Sequence, residues 1–308
     1  MCTEQFHLRN FQLAYQNGKD FAVSPWLSLP AMIGYRLLVA LYCLSWVMYS
    51  ILVDHTWKWF IFLTDCTFLC ITAYFICSTA ISVHYWCYIH RKVTRQEPSR
   101  QQSFDSSSGL LFYNAASRHP ASGERDEPLP EGKYYGTFED SNQDSNSQTV
   151  SVALHEHVSE YPQSWNHKVT WLLYSITSNN SILVTVVFWT LLYSGYEVGE
   201  PDIAFHLLNS VFMLIETFLS SIPVRLLHVV YAMLYGSLYC LFTVVYWLLG
   251  GTNDAGDSYI YPILDYSNDP RLAAILIVLY GFVGLPVAQL IHFGLFKLRC
   301  YLTGLRNR

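Results

Sequence analysis

The chain has 308 residues, of which 52% are hydrophobic, 16% aromatic and only 13% charged, with a formal net charge of -5. Soluble domains carry about twice that charged fraction, so the composition excludes an ordinary soluble domain. It also gives no basic excess for nucleic-acid binding.

Residues 1–28 scatter Phe6, Phe11, Tyr15 and Phe21 among polar groups. They contain no short apolar signal stretch, so they read as a surface-lying or loosely docked cytosolic segment. The first apolar span then serves as the insertion signal. Residues 29–88 hold two spans, each longer than the roughly 20 residues a bilayer requires. The first is about Leu29–Val53, interrupted only by Arg36; a polar break at Asp54–Trp59 leads to the second, about Phe60–Tyr88.

Residues 89–164 are rich in Ser, Gln, Asn, Glu and Pro and cannot bury a core, so they are expected to form a long disordered cytosolic loop. The loop opens with His90-Arg91-Lys92 and Arg95, a basic cluster expected to act as a topology signal, with contact to anionic lipid headgroups as the alternative.

Residues 165–296 hold four more spans, about Lys168–Gly195, Ile203–Ile222, Val224–Gly250 and Leu272–Phe296. Ser178-Asn179-Asn180-Ser181 lies in the middle of the third. It contains a glycosylation sequon, but its depth favours a hydrogen-bonded seam between helices. Gly281, Gly284 and Pro286 mark a kink or close contact in the sixth. Residues 297–308 are a basic tail. Lys and Arg concentrate in the N-terminal segment, the 89–164 loop and the tail, which places both termini in the cytosol. The eight cysteines lie mostly inside apolar runs, so neither a disulfide framework nor a zinc site is expected. Cys87 and Cys300 are juxtamembrane and suited to palmitoylation. The fold expected is an all-α integral membrane bundle of six transmembrane helices with a long disordered cytosolic loop, its partners membrane lipids and cytosolic proteins bound by that loop, with no cofactor.

The fourth span carries His206, Asn209, Met213 and Glu216 on one helical face, with Leu208, Phe212, Ile215 and Leu219 opposite. Such a stripe turns toward other helices, because unpaired polar groups in hydrocarbon are costly. Thr64 and His206 each fall about one turn into their spans from the same side. A hydroxyl and an imidazole at one depth suit a nucleophile and a general base. Equally, Thr bonds its own backbone and His bridges helices in many membrane proteins. A proton path along His206–Glu216 is a further alternative. Glu216 reads as a supporting mid-membrane group, hydrogen-bonded to the Ser178–Ser181 patch and tolerant of Glu216→Gln.

The stretches WLLYSIT, FWTLLY, HLLNSVFMLIE and SSIPVRLLHVVYAMLYG, with YIYPILDY at Tyr259–Tyr266, resemble the protein rolling stone family of insects. The resemblance extends over the six-span core from about Leu29 to Phe296 and leaves out the 89–164 loop. It implies a plasma-membrane protein acting in myoblast fusion or membrane organisation. More remotely, the core is similar to the androgen-induced family of membrane hydrolases, which cleave fatty-acid esters of hydroxy fatty acids. Trp57-Lys58 ahead of Phe62-Leu63-Thr64, the Phe188-Trp189 pair, the ten-residue step from His206 to Glu216, and Tyr261-Pro262 carry that likeness. It implies Thr64 as nucleophile and His206 as base.

Overall fold

The computed structural model describes residues 6–54, 56–116 and 161–304, with the backbone alone for Asp54, Val93 and residues 95–116. Among the described residues every regular element is helical, and six helices are long and apolar enough to cross a membrane. These are α1 (Leu29–Asp54), α2 (Leu63–Ala116), α3 (Trp165–Leu192), α4 (Glu200–Leu219), α5 (Leu226–Leu248) and α6 (Pro270–Leu302). The chain divides into two units, Met1–Tyr85 with Tyr161–Arg308, and Trp86–Glu160. In the second unit the helical backbone of α2 runs on to Ala116, and Lys92 Nζ stands 5.1 Å from the centre of the Tyr88 ring. Residues 117–160, most of the expected disordered loop, lie outside the described residues.

In the first unit α3 is the central helix and packs against α4, α5 and α6. Its small and polar side chains explain why, since they let neighbouring backbones approach and supply hydrogen bonds that lipid does not. Asn179 and Asn180 are 0% exposed, so the sequon is closed to glycosylation. They are seam residues instead: Asn179 Nδ2 donates to Gln289 Oε1 at 2.7 Å, and the Tyr280 hydroxyl donates to Asn180 Oδ1 at 2.5 Å. His292 Nε2 lies 2.8 Å from Ser178 O. Leu183, Ala232 and Leu285 close an apolar layer between α3, α5 and α6.

Among the described residues three helices carry a π turn: Phe188–Leu192 in α3, Ala204–Leu208 in α4 and Tyr280–Gly284 in α6. Pro286 accounts for the last of these. It has no N–H, so the backbone ladder is broken one turn earlier and the helix accommodates an extra residue there. The expected irregularity around Gly281–Pro286 is this turn.

The N-terminal segment is held far more firmly than its composition suggested. It forms two 3-10 turns, Leu8–Phe11 and Gly18–Phe21, and Phe21 and Ala22 are fully buried. Backbone groups do the holding. Gly18 N donates to Tyr161 O at 2.8 Å, Ser221 N to Val23 O at 3.0 Å, and Ser82 Oγ to Ala22 O at 2.9 Å. Arg225 donates to Gln12 O and Ala14 O, and the Tyr231 hydroxyl to Phe11 O at 2.6 Å. Isolated aromatics give no helical or strand period, so this docking has no signature in the hydrophobic pattern.

A Cβ added at Gly18 would stand 2.7 Å from Pro162 O and 2.9 Å from Tyr161 O, backbone atoms that cannot swing aside. Gly18→Ala should therefore cost about 1–3 kcal/mol. It should lower the melting temperature in detergent and speed tryptic cleavage at Lys19. Gly34→Ala meets nothing within 4 Å inside α1 and should leave stability unchanged or raise it by about 0.5–1 kcal/mol. A Gly18→Ala protein as stable and protease-resistant as the parent would show that the docking contributes little.

Candidate functional site

The polar residues fall into two groups at opposite ends of the bundle. At the end carrying residues 6–28, Arg36 of α1 and Glu216 of α4 form a salt bridge of 2.7 Å, both 0% exposed. Arg36 Nε and Nη2 both donate to Glu216 Oε1, at 3.1 and 2.7 Å, and the Tyr74 hydroxyl of α2 donates to the same oxygen at 2.8 Å. Arg36 Nη1 donates to Phe21 O at 2.8 Å and to Ser82 Oγ at 2.7 Å. One pair thus joins α1, α2, α4 and the N-terminal segment.

This corrects the partner expected for Glu216. Because α4 begins at Glu200 and ends at Leu219, Glu216 lies in its last turn and not at mid-span. The neighbouring Thr217 hydroxyl meets Tyr174 of α3 at 2.7 Å, one turn before the Ser178–Ser181 patch. Arg299 of α6 closes the same end. Its Nη1 donates to Thr217 O and Ser220 O, and its Nη2 to Ile222 O at 2.9 Å, satisfying carbonyls that the end of α4 leaves open.

At the opposite end lies an apolar cavity of about 370 Å³ between α3, α5 and α6. Leu183, Val187, Phe188, Leu276 and Val283 line it, and residues 261–264 and the start of α2 close it. Two glycines shape it: a Cβ at Gly284 would stand 2.9 Å from Leu183 Cδ2, and one at Gly236 would stand 3.1 Å from Tyr280 Cε1. Two of the three π turns contribute to its wall. Such turns recur at functional sites because they re-aim side chains out of the helical register.

Thr64 stands on the cavity wall and is 8% exposed. It is the second residue of α2, because Trp57–Ile61 winds as a 3-10 turn that delays the helix start. Tyrosine hydroxyls receive the open N–H groups there: Leu63 N donates to Tyr239 at 3.1 Å and Thr64 N to Tyr261 at 3.5 Å. Burial pushes the Tyr261 phenol up to about 12, so it remains a hydroxyl at physiological pH.

His206 sits in the π turn of α4 and does not line the cavity. Its ring lies flat on Phe188, with centroids 3.5 Å apart, and Phe188 is itself part of the wall. Among the described residues no hydrogen bond joins Thr64 to His206. Trp189 Nε1 donates to His206 O at 3.1 Å. Asn209 Oδ1 accepts from Thr185 Oγ1 at 2.9 Å. His206 Nδ1 and Asn209 Nδ2 are buried without a partner. Met213 and Glu216 complete the buried stripe, while Ile215 on the far face is exposed. Among the described residues no group of three His, Cys, Asp or Glu side chains could hold a metal ion.

Breaking one side of a buried ion pair costs about 3–5 kcal/mol, because the other charge is left uncompensated. Glu216→Gln and Arg36→Met should each lower the detergent melting temperature and surface expression by that measure, and Arg36→Met with Glu216→Leu should restore most of the loss. If Glu216→Gln is as stable as the parent, the pair does not organise this end of the bundle.

The sequence model of the protein rolling stone family matches residues 142–305, which include His206, Asn209 and Glu216 but not Arg36 or Thr64. Protein rolling stone of Drosophila melanogaster is 34% identical over 138 residues, covering 43% of this chain and 49% of that protein. The match therefore spans about half the length of that curated relative. No solved structure matches the chain. With a matched segment longer than half the chain and six helices able to cross a bilayer, the chain is an integral membrane protein and belongs to the protein rolling stone family.

Proposed function

We propose that this protein acts at the plasma membrane, with both termini cytosolic, in cell–cell (myoblast) fusion or membrane organisation, and that it does so by holding the hydrocarbon chain of a membrane lipid. The observation that carries this reading is the cavity: an apolar space of about 370 Å³ with a hydroxyl, Thr64, on its wall. That volume lies in the range of small-molecule sites, and an apolar lining with few polar groups suits an acyl chain. The cytosolic segment 89–164 recruits protein partners in this scheme. A photoactivatable fatty acid should crosslink to residues of α3 and α6, and Leu276→Trp, which fills the space, should reduce crosslinking at least about tenfold at equal surface level. The same substitution should reduce fusion of expressing myoblasts. Undiminished crosslinking in the filled variant would rule the cavity out, and normal fusion without crosslinking would separate lipid binding from the cellular role.

A second reading, hydrolysis of fatty-acid esters, is favoured by the position of Thr64 on the same wall. It requires the Phe188 ring to leave the face of His206 so that the imidazole reaches the hydroxyl, at about 2.6–3.2 Å. A fluorophosphonate probe should then label the purified protein, and Thr64→Ala and His206→Ala should each abolish labelling. Labelling that survives both substitutions removes this reading.

A further inference from the structure

The end of the bundle that carries residues 6–28 has a cleft of about 850 Å³. It is assembled from the N-terminal segment, the chain entering α3, and Arg225 between α4 and α5. Three cations line it, Arg9, Lys168 and Arg225. Among the described residues none of the three is in a salt bridge. The one carboxylate of the wall, Asp20, is buried and accepts the Tyr15 hydroxyl at 2.8 Å.

Arg225 is fixed in advance of any ligand. Its Nη1 and Nη2 donate to Gln12 O and Ala14 O at 2.9 and 3.0 Å, and its guanidinium lies 4.8 Å from the Trp171 ring. Burial pushes its pKa down, and the nearby Arg9 charge adds to that. A guanidinium stays charged regardless, so three cations face a cleft whose wall holds a single carboxylate, Asp20. The wall also has polar atoms with unused capacity. Gln163 Nε2 has no acceptor and Asn17 Oδ1 has no donor. The cleft therefore asks for a ligand with several anionic oxygens and some hydroxyl donors.

Its level in the bundle says where such a ligand is found. Lys168 is in the first turn of α3, and Arg225 immediately precedes α5. Side chains at the ends of membrane-spanning helices lie among lipid headgroups, where basic pockets select phosphorylated lipids. We propose that this cleft binds the phosphorylated headgroup of an inositol phospholipid, its phosphates held by Arg9, Lys168 and Arg225 and a ring hydroxyl by Asn17. Arginine pairs with phosphate through two parallel hydrogen bonds, which gives geometry as well as charge. The site is at the opposite end from the apolar cavity and does not depend on it.

The test uses full-length protein in neutral detergent, with binding followed by tryptophan fluorescence and by melting temperature. Dioctanoyl phosphatidylinositol bisphosphate should bind saturably, and soluble inositol trisphosphate should compete with it. Dioctanoyl phosphatidylcholine should bind at least about tenfold more weakly. Arg9→Gln with Lys168→Gln removes two phosphate contacts from exposed side chains. It should weaken the inositol lipid at least about tenfold while the unliganded melting temperature stays the same. The charge-preserving pair Arg9→Lys with Lys168→Arg should bind within a few-fold of the parent. Absence of saturable binding, an unchanged affinity in the double Gln variant, or loss in the charge-preserving pair would each overturn the proposal. Inorganic phosphate competing as well as inositol trisphosphate would mark a site for free anions and overturn the lipid assignment.

Discussion

A charged carboxylate and a charged guanidinium face each other in the apolar interior, and most of the bundle can be understood from what they require. Neither ion tolerates hydrocarbon alone, so the helices that carry them are bound to meet. Arg36 and Glu216 bring α1 to α4; the Tyr74 hydroxyl adds α2, and Phe21 O adds the N-terminal segment. The pair is therefore a specificity device more than a source of net stability. An apolar pair of similar size would pack, but it would leave Phe21 O, Ser82 Oγ and the Tyr74 hydroxyl without the partners they have here.

The two ends of the bundle are built on different principles. Around Glu216 and Arg299 charged and polar side chains meet across several helices, and the carbonyls at the end of α4 find donors. Around the cavity the helices depart from α-geometry, and the ring of His206 is stacked while its Nδ1 is unpaired. The first pattern fixes side chains in one arrangement. The second leaves an apolar space, which is what a hydrocarbon ligand needs. Glycine at positions 236 and 284 allows tight helix contact beside open space, since each lies near a neighbouring side chain that a Cβ would disturb.

The spans were legible because twenty-residue apolar runs have few alternatives. The buried stripe of α4 was legible because Asn209, Met213 and Glu216 repeat at helical spacing, and the Asn-rich seam of α3 because polar side chains at mid-span must pair. The partner of Glu216 was also written in the sequence, though not as a motif. Arg36 is the lone charge within the first span and Glu216 the lone charge deep in the fourth, and electroneutrality in hydrocarbon joins them. Counting depth from apolar boundaries hid this, because α4 is offset by about a turn. Thr64 and His206 were paired by the same counting; Thr64 is the second residue of α2, and His206 the seventh of α4. The role of Arg299 was not legible, since a basic residue near a helix end looks the same whether it meets lipid phosphate or caps a neighbour. The three π turns left no trace except Pro286, because backbone register carries no compositional signal.

The N-terminal segment has a consequence for how the molecule comes together. It is the first of these elements to be made, and its partners are spread along the chain: Arg36 of α1 and Ser82 of α2 hold Phe21 O and Ala22 O, while Tyr161 before α3, Ser221 and Arg225 after α4, and Tyr231 within α5 come later. Its docking is therefore complete only once the first five helices have been made. Such long sequence separations make docking a late and slow step. Full docking is thus a built-in sign of completed assembly: a chain whose later helices have gone astray lacks the His167 and Trp171 rings that pack on Phe21.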